Sequence, residues 1–227
     1  MTSKRAVRER NTWDDQAQDY HDVQQEKYQF LFDWAIARTN TNLTKDQRVI
    51  EIGCGSGLVT FGIASSVRQI KAYDISEEML VVARSEAKKQ SVDNVEFLQG
   101  DAYNLPEPDA CYDVALLFYV LDIVEQPEVV LKEAHRVLKD GGTLISVTDC
   151  YQDIETVSPL RHVLREVKWN VEYAMRKAKL GIKAKDTLRD SELFRMTSDA
   201  GFRALESEVF DTGEGNQYNL YLNALKV

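Results

Sequence analysis

Arg48-Val49-Ile50-Glu51-Ile52-Gly53-Cys54-Gly55-Ser56-Gly57, followed by Asp74 at the end of the apolar run Ile70 to Tyr73, decides how this chain is read. An apolar strand that stops at a glycine turn, opens a helix and is answered about 20 residues later by a carboxylate is how α/β proteins hold an adenosyl ribose. Gly53, Gly55 and Gly57 carry no Cβ, so the turn can take φ > 0 and lie close against a ligand. The spacing is G-x-G-x-G, with Leu58 where a dinucleotide site reserves its last glycine. That counts against NAD and FAD. No lysine followed by Ser or Thr comes after Gly57, which counts against a phosphate-binding P-loop. Glu51, two residues before the turn, would repel a pyrophosphate and attract an ammonium or sulfonium group. The expected ligand is a nucleoside with a cationic end.

Outward from the turn, the hydrophobic period alternates. Strands are predicted at 49–53, 70–74, 95–98, 113–119 and 143–148, with helices over 57–67, 77–90 and 127–139. Such alternation implies right-handed crossovers and a parallel sheet. Ser76 can cap the helix that begins at Glu77, with Glu77 and Glu78 on its positive end. Upstream, Trp13, Ala17, Tyr20 and His21, then Tyr28, Leu31, Phe32 and Ala35, predict two amphipathic helices. Downstream, Leu160, Val163, Leu164, Val167, Val171, Ala174 and Ala178 draw a long helix that ends at Gly181. A helix over 191–200 closed by Gly201, then strands near 204–210 and 218–226 around Gly213 and Gly215, predict a terminal antiparallel hairpin.

Three further segments join the glycine turn in a fixed order. Asp74-Ile75-Ser76-Glu77-Glu78-Met79-Leu80, Gly100-Asp101-Ala102 and Arg136-Val137-Leu138-Lys139-Asp140-Gly141-Gly142 follow it within residues 48–147. With these four motifs the chain resembles the class I S-adenosylmethionine-dependent methyltransferases, small-molecule type. The resemblance implies a three-layer α-β-α sandwich around a mostly parallel, seven-stranded Rossmann-like sheet with an antiparallel C-terminal hairpin. It implies S-adenosyl-L-methionine as cofactor and S-adenosyl-L-homocysteine as product. It also implies one domain, divided into an N-terminal helical lid (1–45), a cofactor-binding core (46–150), a helical substrate cap (151–189) and a terminal helix and hairpin (190–227).

By the same resemblance, Asp74 takes the ribose hydroxyls, Asp101 the adenine amino group and the Ala102 amide the adenine ring, with Ile75 and Met79 as apolar walls. Glu51, Gly53, Cys54, Gly55 and Gly57 form the turn, Cys54 being a small filler rather than a reactive thiol. Phe118 ends the fourth strand where the family often has a small or polar residue. Tyr20, beside Trp13, resembles a lid over the methionine end, and core aromatics are the alternative. Asp122 stands where many small-molecule methyltransferases carry His, as a candidate base; a surface carboxylate is its alternative. Tyr20 and His21 complete the catalytic candidates, while His162 and His135 carry less weight.

Length and composition fit one globular domain: 227 residues, 44% hydrophobic and 29% charged. The charged N-terminus lacks a following apolar region and no run nears about 18 apolar residues, so a cytoplasmic protein without a membrane segment is expected. Cys54, Cys111 and Cys150 suggest neither a disulfide framework nor a zinc site. A net charge of −9 argues against general nucleic-acid affinity. Against it stands the stretch from Arg161 to Arg189, with nine Lys/Arg and three Asp/Glu. Arg161, Arg165, Lys168, Arg176 and Lys179 share one helix face, either solvated or offered to an anionic substrate or partner. The expected reaction is in-line methyl transfer to O, N or C of a small molecule, an anionic one included. Methylation of a protein or nucleic acid, and a non-catalytic cofactor-binding scaffold, are the alternatives.

Overall fold

The computed structural model describes residues 3–151, 188–211 and 217–227. Helices α1 (Lys4–Asp14) and α2 (Ala17–Asn40) come first. Strands and helices then alternate as β1 (Arg48–Ile52), α3 (Leu58–Ala64), β2 (Gln69–Asp74), α4 (Glu77–Gln90), β3 (Val95–Gln99), β4 (Tyr112–Phe118), α5 (Pro127–Val137) and β5 (Leu138–Tyr151). Helix α6 (Asp190–Asp199) and strands β6 (Phe202–Asp211) and β7 (Gln217–Lys226) follow.

The strands form one seven-stranded sheet in the order β3-β2-β1-β4-β5-β7-β6. Pairing is parallel from β3 to β5, and antiparallel where β7 joins β5 and β6. This is the seven-stranded Rossmann-like sheet that the resemblance implies, with the parallel pairing and terminal hairpin that the alternating periods predict. Val49, Ile50 and Ile52 of β1 are fully buried, as a central parallel strand covered on both faces requires. On one face pack Phe32 and Ala35 of α2, Ile63 of α3, and Leu80 and Ala83 of α4. On the other pack Val130, Leu131 and Ala134 of α5 with Leu193 and Met196 of α6. The chain leaves β1 toward β2 and β3, then returns to place β4 on the other side of β1. That reversal opens a crevice beyond the carboxyl ends of β1 and β4.

Two elements differ in extent from their periodicity. The strand predicted at 143–148 is the middle of β5, which starts at Leu138, where the backbone is already extended and pairs with Tyr112. Gly141, at φ +74°, turns the chain before the regular ladder resumes at Val114 and Thr143. The helix predicted over 57–67 is shorter because Gly57 stands outside it at φ +87°. At its far end the amides of Ser66 and Val67 turn back to Ile63 and Ala64, three residues earlier. The apolar stripe from Leu160 to Ala178, and Gly213 and Gly215, lie outside the described residues.

Helices α2 and α3 meet at Gly62, where an added Cβ would lie 2.5 Å from Ile36 Cδ1. Gly62→Val should therefore destabilise the fold by about 1–3 kcal/mol through overpacking. Combining it with Ile36→Ala should recover part of that loss, and urea denaturation of the two single variants and the double variant would read the coupling.

Candidate active site

The turn after β1 is strapped to the end of β2 by its own amides. The N–H groups of Gly53 and Cys54 both donate to the Tyr73 carbonyl, at 2.7 and 3.0 Å. The Gly55 amide donates to Asp74 Oδ2 at 2.7 Å, and the Ser76 amide to Asp74 Oδ1 at 2.9 Å. Burial pushes the Asp74 carboxyl up, against the pull of the Ser76, Gly55 and Ile75 amides. Gly53 has φ +78°, and a Cβ there would sit 2.5 Å from Val120 Cγ2. Gly55 has φ +53°, and a Cβ there would meet only Tyr20 Cε1, at 3.9 Å. Gly53 is needed for packing against the segment after β4, and Gly55 keeps the ligand side open.

That open side is a cleft of about 790 Å³, counting its solvent mouth, at the ends of β1 and β4. Its floor is Ile52, Gly53 and Gly55, with Asp74, Ile75 and Met79 along one wall. Asp101, Ala102 and Tyr103 close one end, and Phe118, Tyr119 and Val120 stand opposite. Glu9, Trp13 and Tyr20 cover it from the N-terminal helices. The structure thus brings Gly53, Gly55, Asp74, Ile75, Met79, Asp101, Ala102, Phe118 and Tyr20 to one surface.

Glu51, Cys54, Gly57 and His21 lie behind that surface. Glu51 is 1% exposed and accepts from Thr60 Oγ1 at 2.6 Å. Burial raises its pKa to about 7, against the Thr60 hydrogen bond, with Asp74 adding to the rise. Cys54 is buried, and its thiol is pushed well up by burial and by Asp74 and Glu51. Gly57 is the N-cap of α3. His21 is buried with Nδ1 2.9 Å from Ser56 Oγ, so it braces the glycine turn from beneath.

Tyr119 lines the cleft beyond Phe118. It follows β4 at φ +55°, a strained position for a non-glycine residue, with its amide held by the Val147 carbonyl at 2.7 Å. Its ring meets Phe32 edge-on at 5.6 Å between centroids. The Tyr119 hydroxyl and Asp122 Oδ1 are shielded from solvent and have no hydrogen-bond partner among the described residues. Burial, then the nearby Asp149, holds the Asp122 carboxyl well above the ordinary carboxylate range. Burial, then Asp74, Asp122 and Asp149, raises the Tyr20 phenol, which therefore keeps its proton. Trp13 packs edge-on against Tyr20 at 5.8 Å.

Local spacing gave no sign of Arg5, Glu9, Tyr103 or Val120, because each reaches the cleft from a distant element. Tyr119 had one available signal, its place directly after Phe118 at a strand end on the ligand side of the sheet.

Residues 43–198 match the family model described as a methyltransferase domain. The chain belongs to that family. Over 186 residues it is 29% identical to a demethylmenaquinone methyltransferase of Geobacillus sp. (strain WCH70), covering 76% of this chain and 77% of that one. Over 102 residues it is 36% identical to a protein of the same name from Lactococcus lactis subsp. lactis (strain IL1403), covering 44% of this chain and 40% of the relative. A solved structure of a SAM-dependent methyltransferase from Aquifex aeolicus shares the fold, with a TM-score of 0.62 and 20% identity over 85% of this chain and 89% of that one. The domain is accordingly an S-adenosylmethionine-dependent methyltransferase domain. Its residues fit that cofactor: the Gly55 side is open where a Cβ would intrude, and Asp74 keeps lone pairs toward the cleft after accepting two amides. Among the described residues no helix is long and apolar enough to cross a membrane.

Glu51 gives a test of this electrostatic arrangement. Its folded pKa lies above the unfolded one, so the stability it contributes is full below about pH 4.5 and is lost as pH rises through about 7. At pH 8 the buried charge costs on the order of 3 kcal/mol. Glu51→Gln should raise the melting temperature of the ligand-free protein at pH 8 and leave it nearly unchanged at pH 4.5; an equal shift at both would contradict this account.

Proposed function

We propose that the protein transfers the methyl group of S-adenosylmethionine to an oxygen, nitrogen or carbon of a small molecule held beside Tyr20, Tyr119 and Asp122. The observation that carries this reading is a pair of shielded polar atoms with no hydrogen-bond partner among the described residues: the hydroxyl of Tyr119, which lines the cleft, and Oδ1 of Asp122, which lies between the lining residues Val120 and Ile123 in the chain. A buried polar atom left without a partner costs stability unless a ligand satisfies it. The relatives named demethylmenaquinone methyltransferases support a small-molecule acceptor over a macromolecular one. Arg161, Arg165, Lys168, Arg176 and Lys179, the helix face that suggested an anionic acceptor, lie outside the described residues.

When bound, the cofactor supplies a methyl group already activated by its sulfonium. The chain's own residues have three tasks. Asp74 accepts the two ribose hydroxyls, Asp101 accepts from the adenine amino group, the Ala102 amide meets the ring, and Ile75 and Met79 wall it. The glycine turn faces the methionine end, where the buried Glu51 charge favours a cation, and His21 holds the turn in place through Ser56. Trp13, Tyr20 and Phe118 exclude water from the transfer, which positioning alone accelerates strongly. Asp122 takes the acceptor's proton as the new bond forms, while Tyr20 and Tyr119, both protonated, orient the acceptor by donating to it.

Calorimetric titration of the wild type and of Asp74→Ala with S-adenosylmethionine, S-adenosylhomocysteine and NAD tests the cofactor assignment. The first two should bind and lose at least about 30-fold in affinity in the variant, since charge-assisted hydrogen bonds contribute about 1.5–3 kcal/mol each. Binding of NAD alone would sink the assignment.

Asp122 must be ionised to act as a base. Its raised pKa therefore makes kcat climb with pH above the ordinary carboxylate range. Asp122→Asn should lower kcat by about 10²–10⁴-fold, flatten that limb of the profile and leave cofactor affinity unchanged. A profile of unchanged shape with full kcat would remove Asp122 from the reaction.

A further inference from the structure

Arg5, on the first turns of α1, reaches the adenine end of the cleft from 96 residues away in sequence. One guanidinium nitrogen donates to Asp101 Oδ2 at 2.5 Å, and the other pairs with Glu9 on the next turn of α1. The guanidinium carbon lies 3.7 Å from the centroid of the Tyr103 ring. Tyr103 is fixed in turn, its amide donating to Asp101 Oδ1 at 3.1 Å and its hydroxyl accepting from the Gln126 amide at 3.0 Å. The Arg5 side chain is only 19% exposed. A flat cation stacked on a ring and forked between two carboxylates uses what is particular to arginine. An exposed lysine pair would hold nothing in place.

The rest of α1 is tied to the same rim. Arg8 pairs with Glu125 beyond β4, and Asp14 Oδ1 accepts the Ser76 hydroxyl at 2.6 Å. Between these ties, Glu9 and Trp13 line the cleft. A carboxylate has about four acceptor positions, and the Arg5 and Tyr103 donors use two of those on Asp101. The remaining lone pairs can still receive an amino group, so Arg5 and adenine share Asp101 rather than compete for it.

We propose that Arg5 is a cofactor-positioning residue: by gripping Asp101 it clasps α1 over the adenine end, so that lid closure and recognition of the adenine amino group are one event. This rests on the assignment of Asp101 to adenine made above. The Arg5 clasp slows cofactor and product release, and its ionic part makes release faster at high salt.

Stopped-flow dissociation of S-adenosylhomocysteine, read by intrinsic tryptophan fluorescence at low and high NaCl, tests the clasp in the wild type, Arg5→Met, Arg5→Lys and Asp74→Ala. Arg5→Met keeps the length of the stem without the charge. It should release product about 10–30-fold faster, with a weaker salt dependence. Arg5→Lys keeps charge without the flat stack and should fall between. Release from Arg5→Met as slow as from the wild type overturns the proposal, and so does tighter or faster binding, which would make the contact an obstruction. If Asp74→Ala loses binding while Arg5→Met behaves as the wild type, the clasp fails and the cofactor reading stands. A wild type that does not bind overturns both.

Discussion

Two backbone amides grip the Asp74 carboxylate, and the cleft is arranged around that grip. One amide belongs to Gly55 in the turn after β1, the other to Ser76 at the start of α4, so a single side chain fixes both crossovers that leave the middle of the sheet. The contact continues outward, because Ser76 caps α4 by accepting from the Met79 amide and gives its own hydroxyl to Asp14 of α1. It also continues inward, because the Gly53 position tolerates nothing larger with Val120 pressed against it. Sheet, turn, helix start and α1 thus meet around one anion. Its desolvation cost is offset by donors that were already present as unpaired amides at a turn and a helix N-terminus.

The sign of the charge around the cleft follows the same logic. Glu9, Asp74 and Asp101 line it, Glu51 is buried behind it, and Asp122 and Asp149 both raise the Tyr20 phenol, which lines it too. A diphosphate would meet carboxylates where a dinucleotide site offers only amides. A ligand with a sulfonium and an ammonium at one end instead relieves the repulsion. Tyr20 and Tyr119, both pushed up by burial and by these anions, remain donors within the group.

The central βαβ units were legible because their apolar residues repeat at strand and helix periods, and because the cofactor motifs fall where parallel strands end. The glycine turn and Asp74 were singled out on that pattern and Asp101 on the family resemblance, and Gly53, Gly55, Asp74 and Asp101 line one cleft. Local period carries no trace of contacts between distant segments, and the seating of α1 depends on those: Arg5 is paired across 96 residues with Asp101. Position in the sequence also cannot tell depth. Glu51 precedes the turn by two residues yet lies under it on Thr60, and His21, one residue from Tyr20, turns away from the cleft to Ser56. The early start of β5 was hidden because Lys139 to Gly142 read as a turn, while Leu138 already pairs with β4.

The N-terminal helices are energetically unequal, and this bears on how the cleft exchanges its contents. Helix α2 buries Leu31, Phe32, Ala35 and Thr39 against the sheet and α3, and His21 against the glycine turn. Moving it would expose a substantial apolar area at about 25 cal/mol per Å². Helix α1 buries Ala6 alone, and the ties from Arg5, Arg8 and Asp14 to the rim are polar groups that water can replace. The helix breaks between Asp14 and Ala17, at Asp15 and Gln16. Opening the cleft therefore costs least by swinging α1 at that break while α2 keeps Tyr20 in the cleft wall and His21 on the turn. The helix that braces the glycine turn is thereby separated from the helix that can open the cleft.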